Sequence, residues 1–125
     1  MINKRILIID EDGFARICSA ILEHSGYRVD TTMDVNILPT RLNNNVFGLI
    51  ITSYPYGAFI FDEIKKRKIP AIILSDAIDV NLINSLEEFD NSYCMVKPVD
   101  YEKFRSLVTE VMDNGLNIQG GTTIV

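Results

Sequence analysis

The chain carries only two cysteines and one histidine, and no uninterrupted apolar run exceeds five residues. Cys18 and Cys94 have no nearby His or Cys, which excludes a zinc site and a disulfide framework. Buried free thiols in a reducing cytoplasm are the expected state. His24 stands beside Ser25-Gly26 without an identifiable Ser or Cys partner, so a surface or capping role outweighs catalysis. The apolar runs are far too short to span a membrane. The opening "MINKRILIIDED" is positively charged, but its apolar stretch is too short for a signal-peptide core and runs into acids. Basic residues are also scarce: the formal net charge is −5, which argues against nucleic acid as a partner. The one basic cluster, "KKRK" at Lys65 to Lys68, ends a helical stretch, where cations complement the helix dipole.

What the sequence does have is a fivefold alternation of short apolar runs and helical periodicity. Arg5–Ile9 reads as a fully apolar strand. Phe14, Ile17, Cys18, Ile21 and Leu22 follow at the spacing of one helix face, ended by Gly26. Tyr27–Thr31 is a short second strand, and Val35 to Leu42 a weaker helix with Pro39 in or before its first turn. Phe47–Thr52 is the third strand and Ala58–Lys68 the third helix. Ala71–Leu74 is the fourth strand, and Val80–Phe89 a helix with Leu82, Ile83 and Leu86 inward. Tyr93–Val96 is the fifth strand, after which Asp100 can cap a last helix presenting Phe104, Leu107, Val108 and Val111.

Near-continuous apolar strands separated by helices indicate an α/β domain, a five-stranded parallel sheet doubly wound by helices. Residues 1–113 make the domain, and 114–125, with two glycines and no period, read as a flexible tail or linker.

In such sheets the crevice lies at the carboxyl ends of the strands. Asp10, Glu11 and Asp12 follow strand one, Ser53 strand three, Ser75-Asp76 strand four and Lys97-Pro98 strand five. Acids on that edge can hold Mg²⁺, and a hydroxyl and a lysine can meet phosphate oxygens. The competing account is that Asp12 caps the first helix while Asp10 and Glu11 meet solvent.

These residues carry a resemblance. Over residues 4 to about 113 the chain resembles the CheY-like receiver domain of two-component response regulators. "ILIIDED" is similar to the family's first strand and acidic pair, placing that pair at Asp10 and Glu11. "IPAIILSD" resembles the fourth strand with its terminal hydroxyl at Ser75, and "MVKPVDYEKF" the Lys-Pro turn, with Lys97 as the phosphate-contacting lysine. The resemblance implies a flavodoxin-like (βα)5 fold with strand order 2-1-3-4-5. It also makes Lys97–Pro98 a candidate cis peptide.

The family's third strand ends in a phosphoaccepting aspartate, whereas this chain has Ser53, or Thr52 after a one-residue slip. A serine hydroxyl is not ionised at neutral pH and cannot form an aspartyl phosphate. Three further departures accompany it. Only Tyr54-Pro55-Tyr56 separates Ser53 from Gly57, about four residues fewer than the family has. Asp76 stands where a small residue admits the phosphoryl group, and Cys94 where the family carries its switch aromatic. Tyr93 should face the opposite side of that strand.

The expected function is therefore that of a receiver in bacterial, cytoplasmic phosphorelay signalling. It would be a pseudo-receiver, not an enzyme, acting by protein contact without phosphorylation. No cofactor is expected beyond at most weak Mg²⁺ at Asp10 and Glu11. The resemblance implies a protein partner, a histidine kinase or effector, at the fourth helix, fifth strand and last helix. Exposed candidates there are Glu87, Glu88, Tyr93, Glu102 and Arg105, and self-association through that face stays open. One alternative is a working receiver with Asp10 or Asp12 as displaced acceptor. Another is a small haloacid-dehalogenase-like phosphatase, with Asp10 as nucleophile, Asp12 as acid/base and Thr52 or Ser53 with Lys97 as phosphate contacts. It would need a later acidic pair, and nothing after Lys97 supplies one.

Overall fold

The computed structural model describes residues 4–32, 42, 46–89, 91–114 and 122–125. Its strands are β1 (Arg5–Ile9), β2 (Val29–Thr31), β3 (Phe47–Tyr54), β4 (Ala71–Ser75), β5 (Ser92–Val96) and β6 (Thr122–Ile124). The helices are α1 (Asp12–His24), α2 (Phe61–Arg67, preceded by a tighter turn at Ala58–Ile60), α3 (Val80–Ser85) and α4 (Tyr101–Asn114). All pairings are parallel, in the order β2-β1-β3-β4-β5-β6. The α/β doubly wound architecture and the order 2-1-3-4-5 are as expected; the sheet is one strand wider.

Alternation along the strands splits the core into two layers. Ile6, Ile8, Leu49, Ile51, Ile72 and Leu74 face one way, under Cys18 and Leu22 of α1 and Phe104, Val108 and Val111 of α4. Leu7, Ile9, Ile50, Ile73 and Cys94 face the other, under Phe61 and Ile64 of α2 and Leu82 and Leu86 at α3. A strand buried on both faces has no polar position to spare, hence the unbroken "ILII" and "AIIL" runs.

Local chemistry sets the helix ends. Asp100 Oδ1 accepts from the N–H groups of Glu102 (3.0 Å) and Lys103 (3.2 Å), the expected cap of α4. Asp79 does the same for α3 through Leu82 N–H at 2.8 Å. Gly26 after α1 adopts φ 98°, the left-handed conformation its place predicts. Asp12 makes no such cap, since α1 has no side-chain cap and Glu11 precedes its first turn.

Several expectations need correction. Ile17 and Ile83, placed inward by periodicity, are each about half exposed, at 49% and 50%. The α1 and α3 stripes that reach the core are narrower than the apolar pattern. The helix expected over Val80–Phe89 stops at Ser85, and Glu88 takes φ 72°. Of the helix expected over Val35–Leu42, only Leu42 is among the described residues; it is helical and buried. Thr122–Ile124, inside the segment read as a flexible tail, pairs with Ser92–Cys94 as a strand. The reason is chemical: β-branched Thr, Thr, Ile and Val meet an edge whose N–H and C=O groups would otherwise be unpaired.

Candidate functional site

Sheet register assembles the crevice. Ile9 pairs with Thr52, so the next residues, Asp10 and Ser53, come side by side where β1 and β3 reach their carboxyl ends. Asp10 continues the alternation of Ile6 and Ile8, and Ser53 that of Leu49 and Ile51, so both belong to the α1/α4 layer. Each is 2% exposed. Lys97 follows Tyr93 and Met95 in the same alternation on β5, and its Nζ lies 3.1 Å from Asp10 Oδ2. The ammonium also sits 4.4 Å from the centre of the Phe14 ring, on the first turn of α1.

Asp10 is thus held from two sides. Its Oδ1 accepts the Glu11 N–H at 2.7 Å, while its Oδ2 has the Lys97 charge nearby but no aligned hydrogen bond. Ser53 Oγ is buried without a hydrogen-bond partner. Thr52 points to the opposite layer, its hydroxyl donating to Gly57 O at 3.1 Å. Of the two, Ser53 is the residue beside Asp10. Gly57 must be glycine here, because a Cβ would overlap Thr52 Oγ1 and lie 3.0 Å from Ser53 N and O.

The other expected residues stand apart from this pair. Ser75 is buried, but its hydroxyl donates to Ala77 O at 2.7 Å, while its carbonyl accepts the Lys97 N–H at 2.7 Å. Glu11 and Asp76 are exposed. Cys94 lies in the α2/α3 layer and Tyr93 in the other, as strand alternation requires. Asp12 is 76% exposed and paired with Arg16 at 2.9 Å, whereas Asp10 is buried. The Lys97–Pro98 peptide is cis, and so is Tyr54–Pro55 in the loop after β3. Tyr93, expected at the surface, is 8% exposed, with Thr123 of β6 alongside it in the sheet.

The donor set does not fit a divalent cation. Mg²⁺ takes six oxygens, usually one or two carboxylates among them. Here the one buried carboxylate already faces an ammonium, Glu11 is exposed and position 53 offers a neutral hydroxyl. Among the described residues, no group of three His, Cys, Asp or Glu is placed to hold a metal.

Beneath the site, burial pushes the Cys18 thiol up to about 12, with the Asp10 charge adding to the effect and Lys97 opposing it. The sequence shows Cys18 and Phe14 only as members of an apolar stripe. Their position beside Asp10 and Lys97 needed the helix to be docked.

The chain is similar in three dimensions to solved response regulators. A two-component response regulator from Clostridium difficile matches with a TM-score of 0.75 at 19% identity, over 89% of this chain and 97% of that one. A CheY-like receiver domain protein from Methanospirillum hungatei matches at 0.73 and 22% identity, over 90% and 95%. The fold is the receiver fold. A third receiver-fold neighbour, a response regulator from Thermotoga maritima in complex with Mg²⁺ and BeF, matches at 0.69 and 21% identity, over 86% and 98%. At these identities the likeness is one of architecture. No protein-family model matches the chain, and no curated protein matches it in sequence.

Proposed function

We propose that residues 1–113 form a receiver-type signalling domain of two-component systems that works by protein contact and does not accept a phosphoryl group. The observation that carries this reading is Ser53, buried beside Asp10 at the end of β3, where phosphotransfer to the receiver fold needs a carboxylate. The Lys97–Asp10 pair supports it, because the acidic residue left in the pocket already has its counter-charge. A displaced acceptor is disfavoured on the same grounds. Asp10 faces Lys97, and Asp12 is spent on a solvated pair with Arg16.

The partner is a protein, a kinase or an effector, approaching the side built by α3, β5 and α4. Glu87, Glu88 and Glu102 are exposed there, and Arg105 is bound to Glu102 at 2.8 Å. Two buried free thiols suit a reducing cytoplasm, and no helix among the described residues is long and apolar enough to cross a membrane. Fluorine NMR with beryllofluoride and Mg²⁺ tests the reading. Only free fluoride species are expected, and resonances of a protein-bound complex would contradict it.

A further inference from the structure

Without Thr122–Val125, β5 would be the outermost strand of the sheet among the described residues. Those four residues lie along it in register, Thr122 with Ser92, Thr123 with Tyr93 and Ile124 with Cys94. Val125 N–H donates to Cys94 O at 2.9 Å. The fully buried Ser92 hydroxyl is hydrogen-bonded to Thr122 Oγ1 at 2.6 Å, with either oxygen able to donate, and Val125 packs on the α1/α4 layer of the core. This edge therefore reads its occupant at two points, a hydroxyl opposite Ser92 and an aliphatic group three residues on. An occupant without the hydroxyl would leave a buried donor unpaired.

The occupant is lightly held. β6 has three residues where strands usually have five or six. Thr123 is exposed, Ile124 is 47% exposed, and the second bond of Thr122 Oγ1, to Leu86 O, is long at 3.5 Å. A segment with so little buried area opens locally while the rest of the sheet stays closed. An edge released in that way pairs with any extended segment that matches it.

We propose that the outer edge of β5 is a strand-docking site for an extended protein segment with a hydroxyl-bearing β-branched residue followed, three positions later, by an aliphatic one. Thr122–Val125 closes that site in cis. Binding of a partner strand and pairing of β6 are then mutually exclusive, which makes the edge a switch independent of the chemistry at Ser53.

Amide hydrogen exchange on the full chain, followed by NMR, reads the first half. The Val125 amide should exchange at least about 100-fold faster than the Leu74 amide in β4. Equal rates would make β6 a permanent part of the sheet and overturn the proposal. The second half uses a synthetic Gly-Gly-Thr-Thr-Ile-Val peptide with the full chain and its Val125→Pro variant, which lacks the N–H given to Cys94. The peptide should bind the variant roughly ten-fold more tightly than wild type, a gain of one hydrogen-bonded competitor removed, and should weaken when its first Thr is replaced by Ala. No binding to a variant whose Leu74 amide remains protected would overturn the proposal. If the variant loses that protection, the wild-type exchange rates decide.

Discussion

Lys97 Nζ lies 3.1 Å from Asp10 Oδ2, joining the loop after β5 to the end of β1. Asp10 is 2% exposed, whereas the Lys97 side chain keeps 21% of its surface. The carboxylate is therefore the member that cannot be left alone. Removing the ammonium strands a buried charge, a larger penalty than the pair's own net contribution.

Lys97→Met should accordingly destabilise the domain by about 2 kcal/mol in urea unfolding, below the full buried-pair penalty because Lys97 is partly solvated. Asp10→Asn placed on top should recover part of that loss. Additive losses in the double-mutant cycle would show that the two side chains are not coupled.

Gly57→Ala should cost about 2 kcal/mol, in the range for overpacking a filled site. The new Cβ meets Thr52 Oγ1 and the Ser53 backbone, so the hydroxyl bond to Gly57 O is disturbed as well. Gly13→Ala is the control, because nothing lies within 4 Å of a Cβ there. Equal losses in the two variants would contradict the packing argument.

Cys18 should resist alkylation at pH 8 in the folded protein and react on unfolding, since its thiol titrates near 12. The same shift sets a pH dependence. The folded value is raised above the unfolded one, so the stability it contributes is complete below about pH 8.5 and declines as pH rises toward 12. The loss attributable to Cys18 at pH 10 is about 2 kcal/mol, and Cys18→Ala should remove that part of the slope. A slope unchanged by the substitution would contradict the assignment.

Ser53→Asp should create a Mg²⁺ site that the wild type lacks. Two carboxylates side by side at the ends of β1 and β3 repel, so the variant should melt below wild type in EDTA. Mg²⁺ should then raise its Tm by mass action while leaving wild type unmoved. A Mg²⁺-dependent rise in wild type would show that Asp10 and Lys97 already accommodate the cation.

The fold was legible because doubly buried strands leave uninterrupted apolar runs, and "ILII", "LII" and "AIIL" identify β1, β3 and β4 directly. β6 was not, because Thr-Thr-Ile-Val after two glycines becomes a strand only when an open edge lies beside it. Ile17 and Ile83 misled for a related reason: periodicity gives an apolar face, while the neighbouring elements decide how much of it is covered. In the site, strand order alone placed Asp10, Ser53 and Lys97 on one edge, and the structure puts the first two side by side and the third on Asp10. What could not be read was partnership. Ser75 turns its hydroxyl to Ala77, Thr52 to Gly57, and Phe14 lies against the Lys97 ammonium. Each of these depends on loop paths of two or three residues that carry no periodic signal.

The most direct test of the central claim is intact-mass spectrometry of the full chain after incubation with acetyl phosphate and Mg²⁺. The account predicts an unmodified protein, because Ser53 offers no carboxylate and Asp10 is held by Lys97. A stable single phosphoryl adduct mapped to Asp10, Asp12 or any other acidic residue would contradict it.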